Sequence, residues 1–267
     1  MLSVSIVTYK SDIVLLVKLL QSLADAIEHL PKKFTVDEID IIDNSSLDIQ
    51  SDPEIRRLNT FLPQLKYHVN HENTGYGSAH NLAIKQRNSK YHLILNPDVI
   101  LAKDNLSQGL GYLERNPEVA AISPFAEDMI GNLLYLTKKY PSIIDLFLRA
   151  LPSSLSRKIF TKKMAEYENR TVVVNKTIQP VSIISGCYML CRRDFLLKAG
   201  LFNEKYFLYF EDFALSIELS KIGCLIYHPG VKIRHFGGKA SRKGLKHIGY
   251  FIRSAVTFFN DYGWKII

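Results

Sequence analysis

The sequence has 267 residues, is 47% hydrophobic, and carries 34 Lys and Arg against 26 Asp and Glu, a formal net charge of +8. A chain of this length can bury a large core without disulfides, and its apolar stretches fall short of the ~18 to 20 residues that span a bilayer. The charge favours an anionic partner, whether phosphate, nucleic acid or anionic lipid, unless it serves only solubility.

Three cysteines, Cys187, Cys191 and Cys224, form no Cys-x-x-Cys pair and cannot all be joined in disulfides. We interpret them as small buried residues of a protein in a reducing cytosol, with metal ligation as the alternative. The opening residues, MLSVSIVTYK, have the pattern of a strand and lack the basic and apolar regions of a signal peptide. Secretion by that route is not expected, and any membrane contact should be peripheral.

Strand and helix patterns alternate through the first half of the chain. Strands are predicted at residues 3–9, 39–42, 67–69, 91–96 and 119–123. Helices are predicted at 14–27, at 52–62, from the loop at 71–81 toward residue 87, and at 105–116. Alternation at this interval is typical of α/β proteins, so we predict a Rossmann-like, doubly wound, mostly parallel sheet.

The alternation stops between about residues 128 and 177. No strand is evident there, and apolar residues mixed with basic ones predict an inserted helical face. The basic residues are Arg149, Arg157, Lys158, Lys162 and Lys163. Strand patterns return over 181–191 and 224–238, with a helical segment between them, and an aromatic, basic helical tail covers 246–267. Since neither a repeat nor a linker is evident, the sequence predicts one domain.

Polar side chains follow several predicted strands, and they are Thr8, Tyr9, Asp43, Asn44, Asn96 and Asp98. The last two follow the apolar run YHLIL. Pro97 cannot donate to a sheet ladder, so that strand should end near Asn96 and bring Asp98 to the rim of the sheet. Because the ends of parallel strands meet at one edge, these side chains should line one pocket.

The loop NTGYGSAHN, residues 73–81, precedes a predicted helix. Its glycines permit close backbone approach and the helix offers free N–H groups to an anion, although many such loops are simple turns. The turn after the first strand, Thr8-Tyr9-Lys10-Ser11, lacks the glycines that a dinucleotide site requires. A dehydrogenase cofactor site is therefore not expected.

Two residues are candidates for binding a divalent metal ion. Asp98, at the sheet edge, is suited to hold magnesium or manganese beside a diphosphate, with capping of the following helix as the alternative. His235 ends a later strand, and Gly237 and Gly238 leave room beside it. A lone histidine is more often structural, but a pocket that already contains a metal carboxylate favours ligation.

Glu211 and Asp212 follow the aromatic run 206–210 and begin an apolar-periodic helix. Acidic residues in a first helical turn often serve only to cap the helix and to interact with its dipole. Capping does not account for the aromatic wall before them. That wall would suit an acceptor pocket whose general base is kept partly dry.

Together these segments resemble the inverting family 2 glycosyltransferases of GT-A fold, and among them the bacterial rhamnosyltransferases of O-antigen and polysaccharide assembly. The resemblance covers most of the chain apart from the middle insertion. It is carried by seven ordered motifs, SIVTYKS, IIDNSS, NTGYGSAHN, NPDV, SGCYMLCRRDF, GLFNEKYFLYFED and RHFGG. Each motif alone is weak, but their order is specific.

The resemblance implies a role for each candidate. Donor-binding residues would be Thr8, Tyr9, Asp43, Asn73, Gly75, Tyr76, Asn81, Asn96 and Asp98. Asp98 and His235 would hold Mg²⁺ or Mn²⁺, Asp212 would be the catalytic base, and Gly186 and Glu211 would contact the acceptor. The single GT-A domain, 1–267, would bind the nucleotide sugar with residues 1–125 and the acceptor with residues 126–267.

Two positions depart from the family pattern. Asn96 stands where many relatives have aspartate, so Asp98 would carry most of the metal ligation. After Asp212 the family usually has an aspartate and, four residues later, an arginine, where this chain has Ala214 and Glu218. Four residues is the spacing of a helical salt bridge. We interpret this as the joint loss of a structural pair while the catalytic aspartate was kept.

The implied function is inverting transfer of L-rhamnose from dTDP-rhamnose to a lipid-linked or polysaccharide acceptor. Transfer of galactofuranose or N-acetylglucosamine is one alternative, and a nucleotide-sugar binding subunit without activity is another. We expect a cytoplasmic protein with no nucleic-acid partner. The cationic middle segment and the tail over 247–267 have the composition of a membrane-interface surface, which predicts peripheral contact with the inner face of the membrane unless the aromatics pack onto the domain.

Overall fold

The computed structural model describes residues 1–45, 49–150, 161–237 and 244–266. The strands are β1 (Leu2–Thr8), β2 (Val36–Asp43), β3 (Leu65–Val69), β4 (Tyr91–Leu95), β5 (Val99–Leu101), β6 (Val119–Glu127), β7 (Leu133–Leu134), β8 (Thr137–Lys138), β9 (Gln179–Pro180), β10 (Ile183–Ile184), β11 (Tyr188–Arg192) and β12 (Cys224–His235). The helices are α1 (Ile13–Glu28), α2 (Pro53–Phe61), α3 (Tyr76–Gln86), α4 (Asn105–Arg115), α5 (Ile143–Ala150), α6 (Thr161–Tyr167), α7 (Arg170–Val174), α8 (Arg193–Lys198), α9 (Glu211–Ser220) and α10 (Leu245–Tyr262).

Most strands form one sheet in the order β3-β2-β1-β4-β11-β6-β12-β5. The first four pair in parallel, β12 is parallel to β6, and β11 lies antiparallel between β4 and β6. The prediction of a mostly parallel sheet is therefore confirmed. Within the described ranges, no helix is both long and apolar enough to cross a membrane.

Helices cover both faces of the sheet, which accounts for the continuous apolar run in β4. Leu93 and Leu95 pack with α1, α2 and α4, whereas Ile94 packs with α3, α8 and α9 on the opposite face. Successive residues of a strand point to opposite faces, so a strand covered on both sides must be apolar throughout. Every residue of β4 is buried as a result.

A chain of buried hydrogen bonds joins β1, β4 and α3. Ser3 Oγ lies 2.7 Å from both His92 Nδ1 and Ser89 Oγ. Ser5 Oγ lies 2.8 Å from His92 Nε2 and 2.6 Å from His80 Nδ1. Burial lowers the pKa of His92 to about 3 and the pKa of His80 well below its usual value. Both imidazoles are therefore neutral at physiological pH and tie α3 to the centre of the sheet.

The region between 128 and 177 contains the predicted helices, here α5, α6 and α7, but also two strands that were not predicted. β7 pairs with the end of β6, and β8 pairs with β10. Two-residue strands give no detectable alternation, which is why the pattern missed them. Arg157 and Lys158 lie outside the described residues.

The short strand β5 was also not predicted. Its position decides whether Asp98 caps the following helix. The next helix, α4, begins at Asn105, so Asp98 lies in a turn before β5 and does not cap a helix.

The cysteine prediction is confirmed for Cys187 and Cys191, which are buried. It is wrong for Cys224, which begins β12 at the surface.

The C-terminal helix α10 packs on the aromatic run through a cluster of rings. Phe258 lies 5.3 Å from Phe210 and 6.0 Å from Phe213, measured between ring centroids. Ala214 belongs to the same cluster, so small size at this position makes room for the helix. Glu218, at the other departure from the family pattern, pairs with Lys221 at 2.7 Å. Phe258 and Phe259 of the tail thus pack onto the domain, whereas Trp264 is exposed.

Candidate functional site

The carboxyl ends of β1 and β2 meet in a buried polar floor. Thr8 Oγ1 donates to Asp43 Oδ1 at 2.9 Å, and the Asn44 N–H donates to the Thr8 carbonyl at 2.8 Å. Ser45 Oγ also donates to Asp43 Oδ1, at 2.6 Å. Tyr9, which follows β1 in the sequence, is exposed at the rim of the sheet. Two of the predicted donor-binding residues are thereby in direct contact.

The glycine loop lies against this floor. Asn44 Nδ2 donates to the Gly75 carbonyl at 3.0 Å, and the Gly75 N–H donates to Asn73 Oδ1 at 3.0 Å. Gly75 has a φ of +91°, a conformation that favours glycine. The loop therefore turns sharply at Gly75 and begins α3 at Tyr76.

The aromatic run of the second half closes onto this loop through a backbone group. The Phe207 carbonyl accepts from the Tyr76 N–H at 3.1 Å, and a Cβ on Gly75 would lie 2.5 Å from the same oxygen. Tyr209 and Phe210 have φ values of 69° and 65°, which are strained for residues with side chains and recur at functional sites. No side-chain pattern reveals a contact made by a carbonyl, so the sequence did not predict it.

Tyr76 and Asp212 are linked through the two backbone groups of Gly186. The Tyr76 hydroxyl donates to the Gly186 carbonyl at 2.6 Å, and the Gly186 N–H donates to Asp212 Oδ2 at 2.9 Å. A Cβ on Gly186 would lie 3.3 Å from both Asp212 Cβ and Tyr76 Cε1. Glycine at this position lets the loop, the start of β11 and the start of α9 come together.

Glu211, beside Asp212, is buried within the protein. Its Oε2 has no hydrogen-bond partner among the described residues. Burial, together with the charge of Asp212, raises the pKa of the Glu211 carboxyl well above its usual value. The two neighbours thus differ: burial favours the neutral form of Glu211, whereas Asp212 accepts a hydrogen bond from the Gly186 N–H.

Asp98 and His235 also lie together. Oδ1 of Asp98 is 3.1 Å from Nε2 of His235, and the Phe236 N–H donates to the Asp98 carbonyl at 3.0 Å. The antiparallel pairing of β5 with β12, which sets His235 opposite Val99, brings them into contact. A Cβ on Gly237 would lie 2.4 Å from Asp98 Oδ2 and 2.9 Å from His235 Nε2. Gly237 therefore leaves a space beside both candidate ligands.

The Asp98 and Asp212 carboxylates lie on either side of the turn at Gly186 and Cys187, since the Gly186 N–H holds Asp212 and Cys187 bonds to the segment that carries Asp98. Burial raises the pKa of the Cys187 thiol to about 12, and the charges of Asp98 and Asp212 both contribute to the rise. Burial likewise raises the pKa of Tyr76 well above its usual value, with additions from Cys187 and from the same carboxylates. The Asn96 N–H donates to the Cys187 carbonyl at 2.9 Å, so Cys187 forms the wall between the two acidic groups.

Asn81 has different neighbours from the other candidates. Its Nδ2 donates to the Phe202 carbonyl at 2.9 Å and its Oδ1 accepts from the Phe202 N–H at 3.0 Å. Nδ2 also lies 3.1 Å from Glu204 Oε1. These bonds fasten α3 to the segment that precedes the aromatic run. A direct donor contact by Asn81 remains a prediction.

The residues present fit a divalent metal ion with few protein ligands. In the described part of the chain, no group of three or more His, Cys, Asp and Glu side chains is arranged to hold a metal. Asp98 and His235 supply one carboxylate oxygen and one imidazole nitrogen, and the absence of a side chain at Gly237 lets its backbone lie against both. Carboxylate oxygens suit both Mg²⁺ and Mn²⁺, and Mg²⁺ commonly takes its remaining ligands from water and phosphate.

The sheet is covered by helices on both faces, and polar residues lie at its parallel strand ends. This architecture is the GT-A fold of glycosyltransferases, which the solved structures described below share. The chain belongs to glycosyl transferase family 2, whose model matches residues 3–198. The matched range includes Thr8, Asp98 and Gly186 and ends before Asp212 and His235.

Two curated relatives are rhamnosyltransferases. The chain is 26% identical over 244 residues to the N-acetylglucosaminyl-diphospho-decaprenol L-rhamnosyltransferase of Mycobacterium tuberculosis. The matched region covers 84% of this chain and 75% of that protein. It is 24% identical over 180 residues to the rhamnosyltransferase WbbL of Escherichia coli K12, with 63% of each protein covered. The resemblance seen in the sequence motifs is therefore confirmed at the level of the family.

Solved structures share the fold at low identity. GalNAc-T7, crystallised with UDP, GalNAc and Mn²⁺, superposes with a TM-score of 0.67 at 14% identity over 98% of this chain and 50% of that chain. S. aureus TarS 1-349 in complex with UDP gives a TM-score of 0.59 at 15% identity, over 97% of this chain and 65% of that chain. This chain thus spans about half the length of GalNAc-T7.

Proposed function

We propose that this chain transfers L-rhamnose from dTDP-rhamnose, with inversion, to a lipid-linked or polysaccharide acceptor. The observation that carries the proposal is the linkage of Asp98 and Asp212 through the turn at Gly186 and Cys187, to which Tyr76 also bonds. Two carboxylates arranged in this way would offer a diphosphate site and a base site near each other. The choice of rhamnose rests on the two relatives, which are named rhamnosyltransferases.

The donor would lie across the strand ends, bound by residues 1–125, and the acceptor would be bound by residues 126–267 as parts of one domain. The donor contacts would come from Thr8, Tyr9, Asp43, Asn73, Gly75, Tyr76, Asn81, Asn96 and Asp98. The exposed ring of Tyr9 beside the hydrogen-bonded pair Thr8 and Asp43 supports a nucleoside position there. The start of α3, directed by Gly75, would face the phosphates.

Asp98 and His235 would hold Mg²⁺ or Mn²⁺. When bound there, the ion supplies positive charge to the leaving diphosphate. Gly237 supports this assignment, because a side chain there would collide with both Oδ2 of Asp98 and Nε2 of His235. Asp98 would be the stronger ligand, since Asn96 offers only a neutral amide.

Asp212 would act as the general base. The acceptor oxygen attacks the anomeric carbon, the bond from that carbon to the diphosphate breaks, and the acceptor proton passes to Asp212. One in-line displacement inverts the anomeric centre. The Gly186 N–H fixes Asp212 Oδ2, while the protonated carboxyl of Glu211 can donate a hydrogen bond to the acceptor without competing for its proton.

The proposal includes a cytoplasmic protein in peripheral contact with the inner face of the membrane. The proposed membrane contact is based on a lipid-linked acceptor, since the name of the mycobacterial relative includes a decaprenol-linked one. Nucleic acid has no part in this reaction, and the excess of basic residues is assigned to phosphates and anionic lipid.

The test is a panel of nucleotide sugars assayed with a GlcNAc-diphospho-lipid acceptor, following both nucleoside diphosphate release and labelled sugar transfer. We expect the highest kcat/KM with dTDP-rhamnose. A higher value with UDP-galactofuranose or UDP-N-acetylglucosamine would replace rhamnose with that sugar. Donor binding without release or transfer for any member would instead favour a binding subunit without catalytic activity.

A further inference from the structure

The outer face of α10 carries a row of aliphatic side chains that the fold does not use. Ile248, Ile252 and Val256 are 52%, 56% and 43% exposed. Residues four apart on a helix are separated by about 40° around its axis, so the three form one stripe. The other side of α10 faces the protein, where Ser254 is buried and Phe258 packs into the aromatic cluster. The stripe, called here the outer stripe, is thus additional to the core.

A second group of exposed hydrophobic residues adjoins the end of the same helix. Trp264 stacks on Phe259 with ring centroids 5.2 Å apart and is itself 57% exposed. The residues after α10 hydrogen-bond to the start of α5, since the Ile143 N–H donates to the Lys265 carbonyl at 2.8 Å. The exposed Phe147 of α5 and Ile266 belong to this group. Exposed apolar surface therefore continues from α10 to its neighbour α5.

The charges beside the outer stripe are basic. Lys246 and Arg253 are exposed on α10, and Lys265 follows it. Asp261 is the one acidic residue in the sequence of α10, and its carboxylate accepts the Tyr206 hydroxyl at 3.0 Å. A helix with aliphatic residues on one side of its exposed face, basic residues beside them and a terminal tryptophan matches the surface that anionic bilayers bind.

The same helix adjoins the candidate site. Ser254 Oγ donates to the Leu208 carbonyl at 2.8 Å, and Tyr250 lies 4.8 Å from Phe207 between ring centroids. Phe207 in turn contacts the start of α3 through its carbonyl. One helix, roughly 10 to 12 Å across, therefore separates the outer stripe from the segment that leads into Asp212.

We propose that the outer stripe of α10, with Lys246, Arg253 and Trp264, docks on the surface of an anionic lipid bilayer. The helix would lie parallel to the membrane plane, with its aliphatic residues in the acyl boundary and its basic residues among the headgroups. Docking in this orientation holds the acceptor half about one helix diameter from the headgroups. The docking proposal rests on the proposed function in one respect, because a lipid-linked acceptor would present its diphosphate at the level of the lipid headgroups.

The first experiment is co-sedimentation of the full chain with vesicles of phosphatidylglycerol and phosphatidylcholine, compared with pure phosphatidylcholine. We expect binding to the anionic vesicles, loss at high salt, and a blue shift in the emission of Trp264, the one tryptophan of the chain. The variant I248S/I252S/V256S should bind at least about tenfold more weakly. The matched control is V14S/F61S, which removes exposed apolar residues from α1 and α2 and should bind like wild type.

Absence of binding to either vesicle, or unchanged binding by the outer-stripe variant, would overturn the proposal. So would a concentration-dependent dimer of the wild type that the variant abolishes while vesicles remain unbound, since a second copy would then cover the stripe. Transfer to a water-soluble acceptor analogue is measured in parallel and should match wild type in the variant. Vesicle binding by a chain that transfers no sugar would sustain the docking and reject the proposed function.

Discussion

Nε2 of His235 lies 3.1 Å from Oδ1 of Asp98, although 137 positions separate the two residues in the sequence. The contact depends on β5, whose three residues pair antiparallel with the end of β12. Asp98 precedes β5 and His235 ends β12, so this pairing determines their distance. The proposed metal site is therefore built by the sheet and does not require a mobile loop.

The first prediction concerns metal dependence. A Cβ at residue 237 would lie 2.4 Å from Asp98 Oδ2, so Gly237→Ala should occupy the space proposed for the ion. We expect this variant to need at least about tenfold more Mg²⁺ or Mn²⁺ for half-maximal turnover, as changes close to metal ligands commonly do. Chelation should abolish turnover of wild type, and either ion should restore it.

The control is Gly111→Ala in α4, where the nearest described atom to a new Cβ is Arg115 Nη1 at 3.5 Å. This variant should keep the wild-type metal requirement and gain slightly in stability, because alanine is the better helix former. Full wild-type activity in excess chelator would exclude the metal assignment.

The second prediction concerns the closure of the aromatic run onto the glycine loop. Gly75→Ala places a Cβ 2.5 Å from the Phe207 carbonyl and also strains a backbone with φ of +91°. We expect the donor KM to rise by roughly tenfold or more, because the loop must move away from Phe207 and displace the donor contacts. Steady-state kinetics with the preferred donor measures this.

Gly131→Ala is the matched control, since its φ is +85° and no described atom lies within 4 Å of a new Cβ. Both variants place a residue with a side chain at a positive φ, which costs on the order of 1 to 3 kcal/mol. Only Gly75→Ala adds the collision. Equal donor KM values in the two variants would show that the contact with Phe207 has no role in donor binding.

The sequence predicted the parallel half of the fold well because local patterns determine it. The strands that deliver Thr8, Asp43 and Asp98 are rich in apolar residues and buried over five or more consecutive positions, a pattern typical of core strands. The same polar residues at strand ends predicted one pocket, and the structure brings Thr8 to Asp43 and Asp98 to His235.

What the sequence could not predict depends on pairing between distant segments. β5 has three residues, and only its partner β12 makes it a strand. The role of Phe207 lies in its carbonyl, and that of Gly186 in its N–H and carbonyl, so their side chains carry no signal. The burial of Glu211 follows from the packing of α9 and cannot be deduced from the pattern of acidic residues alone.

The third prediction concerns acid stability and the buried histidines. Burial holds the pKa of His92 at about 3 and that of His80 well below its usual value, whereas in the unfolded chain both titrate near 6.5. Below about pH 6.5 the unfolded chain therefore binds protons that the folded chain does not. The free energy of unfolding should fall by about 1.4 kcal/mol per pH unit for each histidine as the pH is lowered.

Denaturant unfolding between pH 6.5 and pH 5 measures this slope, to which the raised pKa of Glu211 contributes with the opposite sign in wild type and variants alike. His92→Gln should reduce the slope by about one proton, whatever its effect on stability at pH 7.5. His29→Gln, at an exposed residue, is the control and should leave the slope unchanged. Identical slopes for wild type and His92→Gln would show that His92 takes up protons equally in both states.

The most direct measurement for the proposed mechanism is the rate of sugar transfer by Asp212→Asn, with donor affinity measured on the same protein. Asparagine retains an oxygen that can accept from the Gly186 N–H, as Asp212 does at 2.9 Å, and Asp212 is not the N-cap of α9, so no capping bond is lost. Glu211→Gln is the control, because a buried carboxyl that holds its proton can be replaced by an amide with little loss of hydrogen bonding. We predict wild-type donor binding and a rate reduced by on the order of 10² to 10⁴-fold in Asp212→Asn. A fully active Asp212→Asn enzyme would contradict the mechanism.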